Sequence, residues 1–146
     1  MSIESKLAEL GITLPDAPAP AANYVPYVRS GNLLFVSGQI SPIKGRLGAD
    51  MAAEAGAEAA RGCGLALLAQ ARAALGSLDK VKRVVKLTGF VNSTPEFTDQ
   101  PEVINGCSDL MVQVFGDKGR HARAAVSAPA LPRGVAVEVE AIFEVE

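Results

Sequence analysis

The chain has 146 residues, of which 49% are hydrophobic and 21% charged, with a formal net charge of −2. This length and apolar share fit one domain with its own core, and they exclude a disordered chain, which would combine low hydrophobicity with high net charge. No apolar run is long enough to span a membrane, and the mild negative charge argues against a dedicated nucleic-acid binder, which carries a basic excess or stripe.

In chain order, Ser2 is placed to cap a short helix in which Ile3, Leu7 and Leu10 recur at helical spacing and which Gly11 stops. Residues 1–6 lack a basic segment followed by an apolar one, so a cytoplasmic location is expected. The stretch Leu14-Pro15-Asp16-Ala17-Pro18-Ala19-Pro20 cannot be regular structure and is expected to run extended along the surface. Tyr27-Val28-Arg29 and Leu33-Leu34-Phe35-Val36 flank Ser30-Gly31-Asn32 as a hairpin. The second strand ends at Ser37-Gly38-Gln39, where a glycine lets the backbone approach another group.

Asp50 is a candidate N-cap for an Ala-rich helix over residues 51–75. Gly56, Gly62 and Gly64 each cost about 1 kcal/mol relative to alanine in a helix. A helix that keeps them is expected to pack tightly on a sheet; the alternative is a merely weak helix. Residues 84–91 are β-branched and partly alternating, as a strand is. Ser93-x-x-Glu96 offers a capping box for a short turn. Pro101 suits the first turn of a second helix, whose stripe is Val103, Ile104, Cys107, Leu110, Met111, Val114 and Phe115 and which Gly116 closes. Residues 122–128 and 135–145 read as two strands joined by the turn Leu131-Pro132-Arg133-Gly134. The order ββ-α-β-α-ββ predicts an α+β domain with both main helices on one face of a sheet.

Cys63 and Cys107 lie far apart, inside predicted helices, and read as buried thiols of a reducing compartment. The only histidine, His121, excludes a multi-histidine metal site within one chain, so no metal is expected.

The chemistry is sought on the last two strands. Folding them back on a centre near residues 130 and 131 would put Arg123 across from Glu138. Arg123, Ala125 and Ser127 would then share a face with Glu138 and Glu140. An arginine beside a carboxylate supplies a planar fork for a substrate carboxylate and leaves an acid able to orient or deprotonate water. The alternative is a cross-strand salt bridge on a wet face, worth at most about 1 kcal/mol. Small neighbours (Ala122, Ala124, Ala125, Ala128) leave space beside Arg123, and one arginine does not account for two glutamates.

Several blocks resemble the Rid (YjgF-like) family of reactive-intermediate deaminases: Asn32 with Ser37-Gly38-Gln39-Ile40, Lys86-x-Thr88-x-Phe90-Val91, Ile104-Asn105, Ala122-Arg123-x-x-Val126, and the ending Leu131-Pro132-x-x-Val135-x-Val137-Glu138-Val139-Glu140-Ala141-Ile142. The resemblance runs from about Tyr24 to the C-terminus and makes residues 1–146 one such domain with a short N-terminal helix and a Pro-rich lead-in. It implies a chorismate-mutase-like fold, a mixed sheet of about six strands, and a homotrimer with clefts between subunits. It implies that Arg123 grips the carboxylate of an imine or enamine acid and that Glu138 helps position water. Tyr24, Ser37, Gly38 and Asn105 would line the cleft with Ala125, which stands where the family commonly has cysteine. Ala22-Asn23 replaces the family's glycine-proline pair, and the Gly119-Arg120-His121-Ala122-Arg123 block looks like that of a longer subgroup.

The resemblance implies hydrolytic deamination of small 2-imino or 2-enamino acids to 2-oxo acids and ammonia, without a cofactor, because an imine is already electrophilic. The expected partners are a small carboxylate-bearing metabolite and two further copies of the chain, with no nucleic acid and no membrane. The alternatives are a non-catalytic trimer binding small carboxylates and, with less support, an endoribonuclease. The latter would rest on one basic cluster (Lys80, Lys82, Arg83, Lys86) and a histidine lacking a partner histidine. The chain also has 24 alanines, no tryptophan and only 5% aromatics. Small side chains fill a core only where elements approach closely or subunits bury surface. The resemblance selects a sheet packed in the middle of a trimer with the Ala-rich helix outside.

Overall fold

A computed structural model describes residues 2–20 and 22–146. The first helix, α1 (Ile3–Glu9), is capped as expected, with Ser2 Oγ accepting from the Ser5 N–H at 3.0 Å. The Pro-rich stretch then crosses the body without regular structure. It is tied down where the buried Gln70 donates from Nε2 to the Pro18 carbonyl at 2.7 Å. Strands β1 (Tyr27–Ser30) and β2 (Leu33–Ile40) form the predicted antiparallel hairpin.

The long helix α2 (Ala53–Leu75) begins after Ala52 and has no side-chain cap. Asp50 instead accepts from the Arg46 N–H at 2.7 Å, closing its own loop. Strand β3 (Val81–Asn92), helix α3 (Gln100–Phe115), strand β4 (Ala122–Ala128) and strand β5 (Val137–Val145) complete the fold. Ser93 does not cap a turn: its hydroxyl donates to the Val91 carbonyl at 3.0 Å and lies 2.7 Å from Ser127 Oγ. Of the glycines of α2, Gly56 and Gly64 make room for α3 side chains rather than for the sheet, and Gly62 lies against Pro42 of the preceding loop. A Cβ on Gly64 would lie 2.8 Å from a Leu110 methyl group, and one on Gly106 of α3 only 1.9 Å from the Ala57 carbonyl oxygen of α2.

The sheet has five strands in the order β1-β2-β5-β3-β4, rather than about six. The predicted terminal hairpin does not form. β4 pairs in parallel with β3, and β5 inserts antiparallel between β2 and β3. The cause is the helix between β3 and β4. A strand reached through a helical crossover returns parallel to its predecessor and takes the place beside it. The segment after β4 then crosses the end of β3, where the Asn92 N–H donates to the Ala136 carbonyl at 2.9 Å and Asn92 Nδ2 to that of Val135 at 3.2 Å.

All seven apolar positions of the α3 stripe are buried. In β5, Val137, Val139, Ala141, Phe143 and Val145 are buried against the helices. By strand alternation, Glu138, Glu140, Ile142 and Glu144 face the other way. Among the described residues, no helix covers that second face. Register places Val28, Phe35, Ile40 and Val126 on it, each between 39% and 52% exposed. The architecture is the expected α+β one, with both main helices on one face of a mixed sheet.

Candidate functional site

The predicted residues gather in two places. On the helix side of the β4 edge, Arg123 reaches α3. Its Nη1 donates to Asn105 Oδ1 at 2.8 Å and to Ser108 Oγ at 3.2 Å. Both acceptors are neutral, and no carboxylate pairs with Arg123 among the described residues. With Nη1 anchored, the Nε and Nη2 N–H groups have no acceptor among the described residues, and such an edge matches the two oxygens of a carboxylate. A depression of about 270 Å³ beside it is lined by Ser108, Asp109, Val112, Arg120, His121 and Arg123. Ala125 lies two residues along β4 on the same face, half-buried against the core.

Glu138 marks the second place. Between the pairs Val36–Ala141 and Gln39–Val139, Ser37 and Gly38 together oppose Glu140, so β2 bulges there. The bulge brings Gly38 over Glu138, and a Cβ on Gly38 would sit 2.2 Å from Glu138 Oε2. Ser37 spends its hydroxyl on the Val25 carbonyl at 2.8 Å, which pins the Tyr24–Pro26 lead-in to β2. A cavity of about 610 Å³ opens here, between the Pro-rich stretch and the sheet. Tyr24, Gly38, Gln39, Gln70, Arg133 and Glu138 supply its polar lining. Burial, followed by the charge of Glu140, pushes the Glu138 carboxyl above its ordinary range.

Thus Tyr24, Ser37, Gly38 and Glu138 converge, and so do Asn105, Ala125 and Arg123, but the two groups do not meet within the chain. The cross-strand pairing of Arg123 with Glu138 is overturned, because β3 lies between β4 and β5 and register puts the two side chains on opposite faces. Sequence reasoning missed Ser108, which lies one helical turn beyond Asn105 on the same face of α3 and could have been found by that spacing. It also missed Gln39, Gln70 and Arg133. Both cysteines are unpaired and deeply buried, and burial pushes the Cys107 thiol up to about 12, so neither is a ready nucleophile. Among the described residues, no cluster of His, Cys, Asp and Glu could hold a metal ion, and no helix is long and apolar enough to cross a membrane.

Residues 4–144 match the family profile described as "YjgF/chorismate mutase-like, putative endoribonuclease". The chain is 53% identical to Protein TCP17 of Trypanosoma cruzi, over 97% of this chain and 93% of that protein. The crystal structure of protein Atu1372 from Agrobacterium tumefaciens superposes with a TM-score of 0.92 at 49% identity, covering 99% of this chain and 92% of that one. Escherichia coli TdcF, solved with bound serine, superposes at 0.65 with 26% identity, covering 89% of this chain and 94% of that one. The geometry and these likenesses agree: the chain belongs to the YjgF-like (Rid) family.

Proposed function

We propose that the protein is a homotrimeric hydrolase that converts small 2-imino or 2-enamino acids to 2-oxo acids and ammonia. The observation that carries this reading is the state of Arg123: a guanidinium anchored through Nη1 by neutral Asn105 and Ser108, with no anion among the described residues on its other edge. Such a group accepts a carboxylate without having to break an ion pair first. The bound serine of TdcF is an amino acid whose carboxylate is of the kind Arg123 would hold.

With the substrate carboxylate on Arg123, the imine carbon is open to water. On the protonated imine, Glu138 from a neighbouring subunit accepts a proton as the water oxygen bonds to that carbon and the C=N π pair moves onto nitrogen. Glu138 then returns that proton to the carbinolamine nitrogen, the C–N bond breaks as the hydroxyl proton passes to solvent, and ammonia leaves with a C=O in its place. Burial and the Glu140 charge, which raise the Glu138 carboxyl, make its carboxylate a better proton acceptor than an ordinary glutamate. The uncovered sheet face, with Val28, Phe35, Ile40 and Val126 exposed, supports burial against further copies of the chain.

The test is ammonia release from 2-iminopropanoate generated by an amino-acid oxidase. The wild-type protein is expected to accelerate it over buffer and Arg123→Ala to abolish the acceleration. No acceleration by the wild type sinks the reading. Binding of 2-oxo acids without turnover would instead identify a carboxylate-binding trimer.

A further inference from the structure

His121 and Ser108 form a hydrogen-bonded chain that ends on Arg123. His121 Nδ1 lies 2.5 Å from the Gly119 carbonyl oxygen. A carbonyl can only accept, so Nδ1 carries the proton and, in the neutral ring, Nε2 is bare. Ser108 Oγ lies 2.9 Å from that Nε2 and must donate to it. The Ser108 oxygen therefore turns a lone pair toward Arg123 Nη1, 3.2 Å away. The first link is held from behind. A Cβ on Gly119 would fall 2.2 Å from the Met111 carbonyl oxygen, so only glycine lets the 3-10 turn Gly116–Gly119 lie against α3.

We propose that His121 and Ser108 are positioning residues for the carboxylate-binding arginine, and that the fixed tautomer of His121, relayed through the Ser108 hydroxyl, sets the direction in which Arg123 presents its open edge. This rests on the proposed role of Arg123 as the carboxylate grip. It gives a task to the Gly119-Arg120-His121-Ala122-Arg123 block and to a serine that the reaction itself does not use.

The same geometry couples the ring to the ligand. His121, just before β4, shares the depressions beside it with Arg123 of β4, the adjoining Arg120, Arg83 of β3 and Asp109 of α3. Burial, and then the nearby Arg123 charge, hold its pKa below the ordinary histidine value, against the hydrogen bond to Gly119. A carboxylate bound on Arg123 offsets that positive charge, so binding is expected to move the His121 pKa up.

Because His121 is the only histidine, its imidazole resonances can be followed alone in the intact protein. Imidazole ¹⁵N spectra are expected to show the Nδ1–H tautomer, and 2-oxobutanoate is expected to raise the His121 pKa. Ser108→Ala should weaken 2-oxobutanoate binding about tenfold by calorimetry, whereas Ser108→Thr, which keeps the hydroxyl, should restore it. A dominant Nε2–H tautomer, or Ser108→Ala binding as tightly as wild type while Arg123→Ala does not bind, overturns the relay. If Arg123→Ala binds the acid as well as wild type, the carboxylate reading itself fails. The positioning role, which rests on that reading, falls with it.

Discussion

Arg123 and Glu138 are registered against Leu87 and Phe90 of β3, three residues apart, and therefore point to opposite faces of the sheet. The arginine lies on the helix side and the glutamate on the uncovered side. One small molecule cannot touch both within a single chain, so the proposed reaction requires a second copy to bring the missing group.

That requirement predicts complementation. Arg123→Ala and Glu138→Gln proteins should each be inactive alone. Co-expressed as mixed trimers, they should recover activity, because an intact Arg123 then meets an intact Glu138 across one interface. Random mixing in a cyclic trimer rebuilds about one quarter of the sites. Absence of recovery in verified mixed trimers would place the reaction within one subunit.

The shape of the Arg123 group matters as well as its charge. Arg123→Lys keeps the charge but loses the planar fork, so kcat/KM should fall roughly 100-fold. The Tm should move little, since Arg123 is in no ion pair among the described residues. Steady-state kinetics and thermal melts on the same preparations separate the two effects.

Glu138 should trade stability for activity. Its folded pKa is raised, so the folded state binds more protons than the unfolded chain between the ordinary carboxylate value and the raised one. Stability is therefore lost as pH rises through that window, and is not recovered above it. Glu138→Gln should accordingly melt higher than wild type at pH 7, by something like 2 °C, with the gap closing at acid pH where Glu138 is protonated in both states. Activity should rise with pH through the same raised pKa and be absent in the variant.

Two glycines should respond differently to alanine. At Gly38 the added methyl meets only the end of a flexible side chain, the Glu138 carboxylate. Gly38→Ala should therefore fold with nearly the wild-type Tm and lose activity by displacing that carboxylate. At Gly106 the methyl meets the Ala57 backbone, and the α2–α3 pair must separate. Gly106→Ala should cost about 3 kcal/mol or more, read by chemical denaturation.

Much of the fold is written locally. The α3 stripe and the β5 alternation need only a period, and each buried the residues its period selects. Gly38 could be singled out as a point of close approach, though only the structure shows that the approaching group is Glu138. Strand partners are not local. Leu131–Gly134 does turn, with Arg133 at φ 59° and Gly134 at φ 73°, yet it joins strands that do not pair. The small side chains of β4 carry no pattern that names a neighbour. The β3–α3–β4 crossover chose β3, and β5 then filled the place between β2 and β3.

By itself, then, the sequence determined most of the elements and the family, and pointed to Arg123, Asn105 and Glu138 as candidates, because composition, period and motif are properties of short stretches. Only the tertiary structure decided that Arg123 bonds to Asn105 and Ser108 rather than pairing with Glu138. Faces and neighbours depend on strand order, and strand order is a property of the whole sheet.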